Sequence, residues 1–348
     1  MECKRLDRRN LLAAAAVALS GLCVRPALAQ GKPEKPRVTI GLGSPASLVC
    51  LPLTIADRLG YFGAEGLAVE LHDFGGGMHT VQAVQAGQGD IGAGAFEHTI
   101  SLQGRNQSYR AFVLLARAPQ VALGVSSRTM TGYRSVADLR GRRVGIASIG
   151  SMSAMVASLV LMRNGVLPQE VQFIEFPTAA AAVAAVRAGQ VDAISHHEPV
   201  MSMLEHKADV RIIADTRSLR GSLDVFGGPT VGPCLFAPSD FLQKHPQTVQ
   251  ALANAVVHAL KWLQTAGPSD LIKVVPEAYL LGDRGLYLAS FNKVREAIAI
   301  DGMIPEEGAR TALRTLGRLE AGFKADKIDL GRTFTNEFAR RAKDKYRA

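Results

Sequence analysis

Two short polar clusters in this sequence contain the residue types that most often bind or transform small molecules. The first is Phe96-Glu97-His98 and the second is His196-His197-Glu198. Each ends a related stretch of chain, since residues 81–98 read VQAVQAGQGDIGAGAFEH and residues 183–200 read VAAVRAGQVDAISHHEPV. Carboxylate and imidazole groups can exchange protons with a substrate, hold a metal ion or hydrogen-bond a ligand. The two clusters are therefore the first candidates for a functional site.

The second cluster is a poor pattern for a metal centre. Adjacent residues at the end of a strand point to opposite sides, so His196 and His197 are badly placed to hold one ion, and no well-spaced third ligand follows. The sequence also lacks a G-x-S-x-G elbow, an H-E-x-x-H motif and a P-loop. We therefore predict no metal, no cofactor and no catalytic residue. A secreted enzyme that uses Glu97, His197 or Glu198 as an acid or base is the alternative.

The repeated stretch predicts how the clusters are positioned. In each copy an Ala/Val-rich helix ends at a glycine, Gly87 or Gly189, which suits the left-handed conformation that closes a helix. A tight turn with Asp90 or Asp192 then leads into a short buried strand. Ligands bind beyond the carboxyl ends of strands in open α/β sheets. The aspartates are therefore predicted to be turn residues, whereas the clusters should face a cleft between two related halves.

The same rule brings residues 44–47, 75–77 and 148–153 to the cleft. The last two segments open helices, whose free N–H groups and positive dipole ends favour an anion. Glu97 and Glu198 would repel an anion unless paired or turned away, and would better suit a cation or a hydrogen-bonding heterocycle, so the ligand charge stays open. Helix capping by the serines and packing by Phe96 are the alternatives to ligand contact. The predicted ligand-binding residues are Ser44, Ser47, Gly76, Gly77, Phe96, Glu97, Ser151, Ser153, His197 and Glu198.

Composition places the chain among ordinary globular proteins. Its 348 residues, 47% hydrophobic and 20% charged, suffice for two lobes with separate cores. The net charge of +9 comes from scattered Lys and Arg without an aromatic-interleaved stripe, which disfavours nucleic-acid binding. Beyond the N-terminal region only Cys50 and Cys234 remain. Their spacing is compatible with a disulfide and with two buried free thiols.

The N-terminus has the pattern of an export signal. Basic side chains within residues 4–9 precede an apolar run over residues 11–24, and Ala27-Leu28-Ala29 offers a cleavage site. The pair Arg8-Arg9 resembles a twin-arginine signal, although the choice between the twin-arginine and Sec routes stays open. We predict a signal peptide over residues 1–29 and a periplasmic location.

Strands and helices alternate along most of the chain, which predicts parallel sheets with helices on their faces. Apolar segments at residues 121–126 and 230–237 are predicted to cross between the lobes. Residues 214–229 are rich in Gly, Ser and Arg without clear periodicity and are interpreted as a loop. Helical patterns dominate from residue 240 onward.

Two motifs give the chain a resemblance to a known family. The opening is similar to that of the nitrate/sulfonate/taurine-type solute-binding proteins of ABC importers, in the residues Ser47-x-x-x-Leu51-Pro52-x-x-Ile55-Ala56 and Gly60-Tyr61-Phe62-x-x-x-Gly66-Leu67-x-Val69-Glu70. That group also includes binders of thiamine-pyrimidine precursors. The entry into the second lobe resembles the family in Leu139-Arg140-Gly141-Arg142-Arg143-Val144-Gly145. The likeness covers roughly residues 37–265.

The resemblance implies an α/β fold, a two-lobed periplasmic-binding-protein clamshell (type II-like). Each lobe would be a mostly parallel sheet flanked by helices, with a C-terminal helical extension. Lobe I would comprise residues 36–120 and 235–348, and lobe II residues 121–234. The implied protein is a monomer that captures a small organic solute, such as a sulfonate or carboxylate, for the membrane permease of an ABC importer. A solute sensor and an enzyme related to thiamine-pyrimidine synthesis are the alternatives, and export argues against the enzyme because such substrates are made in the cytoplasm.

Overall fold

The computed structural model describes residues 31–348, so the predicted signal peptide over residues 1–29 lies outside the described part. Ten strands form two five-stranded sheets, and the lobes are named after them. The lobe I sheet contains β1 (Arg37–Leu42), β2 (Ala68–Asp73), β3 (Ile91–Ala95), β4 (Tyr109–Leu114) and β10 (Pro233–Pro238). The lobe II sheet contains β5 (Val121–Ser126), β6 (Arg143–Ile146), β7 (Gln172–Glu175), β8 (Ala193–His197) and β9 (Val210–Asp215).

The two sheets have the same topology, with strand orders β2-β1-β3-β10-β4 and β7-β6-β8-β5-β9. Strand β1 pairs parallel with β2 and β3, and β6 pairs parallel with β7 and β8. The crossover strands β10 and β5 pair antiparallel with both of their neighbours. Two α/β lobes with mostly parallel sheets are therefore confirmed, since four of the five strands in each sheet run in one direction. The crossover strand runs against the other four, which makes each sheet mixed. The exact lobe boundaries stay a prediction.

Helices flank both sheets and dominate the C-terminal part of the chain, as predicted. Those preceding the return crossover are α1 (Leu51–Arg58), α2 (Tyr61–Ala64), α3 (Gly77–Gln85), α4 (Glu97–Gly104), α5 (Met152–Arg163), α6 (Ala179–Arg187), α7 (Val200–His206) and α8 (Leu219–Phe226). Those following it are α9 (Ser239–Lys244), α10 (Pro246–Thr265), α11 (Pro268–Val274), α12 (Arg284–Val294), α13 (Glu306–Leu319) and α14 (Glu337–Tyr346). In the described part of the chain, no helix has the length and apolar character needed to cross a bilayer.

The repeated stretch forms the same local structure in both lobes. Gly87 and Gly189 have φ angles of 73° and 70°, so both adopt the predicted left-handed conformation at the end of a helix. The carboxylate of Asp90 accepts a hydrogen bond from the backbone N–H of Thr39 at 3.1 Å. In lobe II, Asp192 accepts the equivalent bond from the N–H of Arg143 at 3.0 Å. These bonds tie the turn to β1 in lobe I and to β6 in lobe II, which confirms that both aspartates are turn residues.

The interpretation of residues 214–229 as a loop is wrong, because α8 lies within them. Helix α8 begins after Ser218, whose hydroxyl accepts a hydrogen bond from the Gly221 N–H at 3.0 Å, and it ends at left-handed Gly227. Val225 and Phe226 are buried in the lobe II core. Both helix-end signals were present in the sequence. The intervening polar residues obscured the apolar periodicity, and packing on lobe II supplies what the local pattern lacks.

The C-terminal helices contact both lobes. Lys293 of α12 pairs with Glu205 of α7 at 2.7 Å, and Glu296 accepts a hydrogen bond from the Leu219 N–H at 3.0 Å. On α13, Leu316 belongs to the core that α10 and the lobe I sheet share, whereas Leu319 packs against the lobe II core. The C-terminal extension therefore forms part of the wall between the lobes.

Candidate functional site

A cavity lies between the lobes where the carboxyl ends of β1, β3, β6 and β8 meet, the position at which open α/β sheets bind ligands. This central cavity has a volume of about 60 Å³. Six of the predicted ligand-binding residues line it: Ser44, Ser47, Gly76, Gly77, Ser151 and His197. It is also lined by residues that were not predicted as contacts, among them Cys50, His98, Ser148 and Met152.

Two helix N-termini from opposite lobes face the central cavity. Helix α3 begins directly after Gly76, and α5 begins after Ser151. The backbones approach so closely that a Cβ atom on Gly76 would lie 2.6 Å from the Ser148 hydroxyl. A Cβ atom on Gly77 would lie 3.2 Å from Nε2 of His98. Glycine at both positions keeps the start of α3 open, so its free N–H groups and positive dipole end favour an anion.

Three buried polar atoms around the cavity have no hydrogen-bond partner within the described residues. They are the Ser148 hydroxyl, Nε2 of His98 and Nδ1 of His197. Ser148 is 3% exposed, His98 6% and His197 8%. Leaving such a group unsatisfied costs about 1–3 kcal/mol, so native proteins seldom do it without a functional reason. All three side chains line the same cavity, where a ligand rich in hydrogen-bonding oxygens would satisfy them.

Both cavity histidines are neutral at pH 7. Burial lowers the pKa of His98 to about 4, and the positive charge of Arg105 adds to the effect. Burial likewise lowers the pKa of His197 to about 3, with a further contribution from His196. A neutral imidazole carries one N–H donor, which can be directed at an oxyanion.

The predicted contact Glu198 is withdrawn from the cavity by an ion pair. Its side chain is fully buried, and its carboxylate accepts hydrogen bonds from Arg217 at 2.7 Å and from the Ser202 N–H at 3.0 Å. Arg217 also binds Asp215 at 2.8 Å and Glu205 at 2.9 Å. Burial by itself lowers the pKa of Arg217. The hydrogen bonds to Asp215 and the charge of Glu198 outweigh this effect, so the pKa of Arg217 is raised above its usual value. Glu198 thus presents no unpaired charge to the cavity. The repulsion of an anion expected from the sequence is therefore removed on the lobe II side.

Glu97 has the opposite environment. It is the first residue of α4, is 1% exposed, and neither carboxylate oxygen has a hydrogen-bond partner from another described residue. Burial raises its pKa to about 7, against the opposing effect of its own backbone N–H. Glu97 lines not the central cavity but an adjoining side chamber of about 250 Å³. His98 and Ser151 line both spaces, so the two are neighbours.

Two further predicted contacts have structural roles. Phe96 is fully buried and packs edge-on against Phe334 with 5.9 Å between ring centroids, so packing rather than ligand stacking describes its position. Ser153 is also fully buried, and its hydroxyl accepts a hydrogen bond from the Ala147 N–H at 2.9 Å. Ser151 caps α5 by accepting from the Ala154 N–H at 3.3 Å, while its side chain still lines the cavity.

Within the described part of the chain, the other histidine and cysteine side chains form neither a cluster that could hold a metal ion nor a disulfide. His196 directs Nε2 to the Phe176 carbonyl at 3.1 Å, whereas His197 lines the central cavity, so the two rings have different surroundings as predicted. No group of three potential ligands among residues 31–348 is arranged to hold a metal ion. Cys50 and Cys234 are free and buried, and burial raises the pKa of Cys50 to about 11.

Comparison with known proteins gives consistent matches. Residues 48–267 match the NMT1/THI5-like family. A Brucella abortus protein named as a binding protein is 25% identical over 228 residues, and the match covers 63% of this chain and 65% of that protein. The chain thus matches just under two thirds of that relative's length. A solved structure from Bordetella bronchiseptica RB50 is 46% identical, with a TM-score of 0.90, and the match covers 91% of this chain and 100% of that one.

A more distant structure shows how widely the fold is shared. The alkanesulfonate-binding protein SsuA from Xanthomonas axonopodis pv. citri, solved with bound MOPS, has a TM-score of 0.65 at 18% identity over 87% of this chain and 99% of its own. At this identity the likeness shows the fold alone, and it confirms the predicted two-lobed periplasmic-binding-protein architecture. The family match covers more than half of the chain and both lobes. The chain belongs to the NMT1/THI5-like family.

Proposed function

We propose that this protein is the exported solute-binding component of an ABC importer and that it captures a small organic anion between its lobes. The observation that carries the proposal is the central cavity, where two helix N-termini meet three buried polar atoms that lack partners. The contacts proposed for the anionic group are Gly76, Gly77, His98, Ser148, Ser151 and His197, with Ser44 and Ser47 at the edge.

The proposed mechanism is closure of the two lobes around an anion that contacts both of them. The start of α3 and His98 belong to lobe I, whereas Ser148, Ser151 and His197 belong to lobe II. An anion held by both sets stabilises the arrangement in which the lobes meet, and this differential affinity drives closure. In that arrangement the Leu48 N–H donates a hydrogen bond to the Glu198 carbonyl at 3.0 Å, directly joining lobe I to lobe II. The closed form would then be what the membrane permease recognises.

An organic sulfonate or carboxylate suits the donors better than a cation does. Helix N-termini, a hydroxyl and neutral imidazoles all donate hydrogen bonds, and an oxyanion offers only acceptors. The fold-level likeness to an alkanesulfonate-binding protein supports the same class. Catalysis in the central cavity is disfavoured, because an efficient general base at neutral pH has a pKa near 7, whereas His98 and His197 have pKa values of about 4 and about 3. Burial raises the pKa of Glu97 to about 7, but this carboxyl group lines the side chamber rather than the cavity proposed to hold the anionic group.

The experiment is a ligand screen on the mature protein. Sulfonates, carboxylates, nitrate and uncharged amides of matched size are tested by thermal shift, and hits are measured by titration calorimetry. We expect an organic anion to raise the melting temperature and to be recovered chemically unchanged. Ser148→Ala and His98→Asn should each weaken binding about tenfold, because each removes a cavity hydrogen bond. The exposed Ser127→Ala should have no effect. Turnover of the ligand, or tighter binding of the uncharged amide, would refute the proposal.

Export rests on the sequence pattern of the leader and is tested separately. Cell fractionation should place the full-length protein in the periplasm and a chain lacking residues 1–29 in the cytoplasm. Replacing Arg8 and Arg9 with lysine distinguishes the routes, since only twin-arginine export requires the pair. Retention of the full-length protein in the cytoplasm would contradict the importer role while leaving the binding site untouched.

A further inference from the structure

The side chamber next to the central cavity has three walls of different origin. Helix α4 supplies Glu97, His98 and Ser101 from lobe I, while lobe II supplies residues of α5, β6 and β7 and the loop before α5. The third wall is the C-terminal helix α13, through Leu316 and Leu319. At about 250 Å³ the chamber is several times larger than the central cavity of about 60 Å³. A ligand that occupied only the central cavity would leave most of this space unused.

The chamber is lined mainly by hydrophobic side chains from all three walls. These are Met78, Val81, Leu102, Ile146, Ile149, Met155, Phe173, Leu316 and Leu319. Ile149 is 65% exposed although most large hydrophobic side chains of the described chain are buried. An apolar group in the chamber would cover this surface, and each buried methylene would raise the affinity about fourfold.

Glu97 is a buried polar exception among the mainly hydrophobic side chains that line the chamber. It is almost completely buried, and both of its carboxylate oxygens lack a donor from any other described residue. The charged residues Arg105 and Glu320 also line the chamber, but both are exposed and neither donates a hydrogen bond to Glu97. A carboxyl group in this position requires a hydrogen-bond donor, whether or not it carries its proton, because it retains acceptor lone pairs in both states.

We infer that the side chamber is the subsite for the organic tail of the ligand, and that this tail is apolar with an N–H or O–H donor facing Glu97. This inference rests on the proposed function, in which the central cavity holds the anionic group of the same molecule. The substrate class is therefore an organic anion whose hydrophobic body carries an amino, amide or hydroxyl group. An inorganic oxyanion fills only the central cavity and leaves the chamber empty of apolar contact.

The experiment measures what each part of a ligand adds to affinity. Methanesulfonate serves as the anionic group alone, and butanesulfonate adds an apolar tail. Sulfonates with a terminal amine or hydroxyl, in chains of three to six carbons, add a charged or a neutral donor. We expect butanesulfonate to bind at least about tenfold more tightly than methanesulfonate, and the best donor-bearing compound to gain about tenfold more.

Two pairs of variants assign these gains to the chamber. Glu97→Gln keeps the size of the side chain and should abolish the gain from the amine, while methanesulfonate binding changes less than about twofold. Glu307→Gln makes the same chemical change at an exposed position of α13 that does not line the chamber, and it should preserve every affinity. Ser158 of α5 also lines the chamber. Ser158→Phe should fill the chamber and remove the affinity that the tail adds in every compound, whereas Ser158→Ala should retain it.

The outcomes separate this inference from the proposed function. If methanesulfonate binds and tails add nothing, the side chamber is not a tail subsite although the anion site stands. If butanesulfonate gains but neither donor adds to it, the role of Glu97 is refuted. If no sulfonate or carboxylate binds, the proposed function itself fails. Should Glu97→Gln fail to fold, the comparison of tails on the wild-type protein and on Ser158→Phe still decides the matter.

Discussion

Replacing Arg217 with methionine should destabilise lobe II far more than the loss of an exposed ion pair. The side chain of Arg217 is 4% exposed, and that of its partner Glu198 is 0% exposed. Removing one partner of a buried pair leaves an uncompensated charge, which costs about 3–5 kcal/mol. Glu198 would keep its hydrogen bond from the Ser202 N–H, so we expect a loss at the lower end, about 3 kcal/mol.

A double-mutant cycle isolates the contribution of the pair. In Arg217→Met combined with Glu198→Gln, no buried charge remains, and replacing a whole buried pair is often nearly neutral. The other two partners have 40% and 35% exposed side chains and can be rehydrated, and Glu205 keeps Lys293 at 2.7 Å. The double variant should therefore lose less than the Arg217 variant alone. The exposed pair between Lys244 and Asp240 is the control, where Lys244→Met should cost about 0–1 kcal/mol.

The assay is equilibrium urea unfolding at pH 7. The only tryptophan, Trp262, lies in α10 on the lobe I side, so far-UV circular dichroism is needed to follow both lobes. We expect a coupling free energy of about 1.5 kcal/mol or more between Arg217 and Glu198. Equal losses in the Arg217 single variant and the double variant, or a loss no larger than that of Lys244→Met, would show that Arg217 does not hold Glu198 in place.

Three further predictions concern the cavity. Affinity for methanesulfonate should rise as the pH falls from 7 towards 5, because a bound anion raises the pKa values of His98 and His197 from about 4 and about 3. Calorimetry in two buffers of different ionisation enthalpy should detect the accompanying proton uptake. Without ligand, the contribution of His98 to the free energy of unfolding should fall as the pH drops from 6.5 to 4, since the unfolded chain takes up a proton that buried His98 does not. Glu97, whose raised pKa acts in the opposite direction, is common to wild type and His98→Asn, so in denaturation curves the wild type should lose on the order of 3 kcal/mol more than His98→Asn over this range. Gly76→Ala should weaken anion binding at least about tenfold in calorimetry, because its Cβ would lie 2.6 Å from the Ser148 hydroxyl. Gly87→Ala is the control: its Cβ would meet nothing within 4 Å, but the φ angle of Gly87 is +73°, so this variant should lower stability only.

Features set by neighbouring residues were predictable from the sequence. The glycines that end the two Ala/Val-rich helices and the aspartates that follow them obey local rules of helix ending and turn formation. The contacts were predicted from the rule that ligands bind at the carboxyl ends of strands, and six of the ten predicted residues line one cavity. Each of these inferences needs only a short window of sequence and a fold class.

Features that depend on distant partners were not predictable. The ion pair of Glu198 requires Arg217, which lies 19 residues away in a segment interpreted as a loop. The side chamber requires Leu316 of α13 to lie near Glu97 of α4, and no local pattern links these positions. The burial of His98 and Ser148 without partners likewise emerges only when the two lobes meet. Charge pairing and cavity shape are tertiary properties, so a single sequence does not reveal the electrostatic states of Glu97 and Glu198.

The unlike ends of the repeated stretch would allow two similar lobes to recognise one asymmetric molecule, as the proposed function requires. Both copies deliver a polar cluster to the cleft, but lobe II neutralises its carboxylate with Arg217 and directs His197 at the central cavity. Lobe I directs His98 at that cavity and keeps Glu97 unpaired in the adjoining chamber. In the proposed complex both lobes would hold the anionic group without repulsion from lobe II, while the rest of the molecule would face Glu97 in the side chamber. Symmetric ends would have placed an unpaired carboxylate on each side of the anion, which would oppose closure rather than drive it.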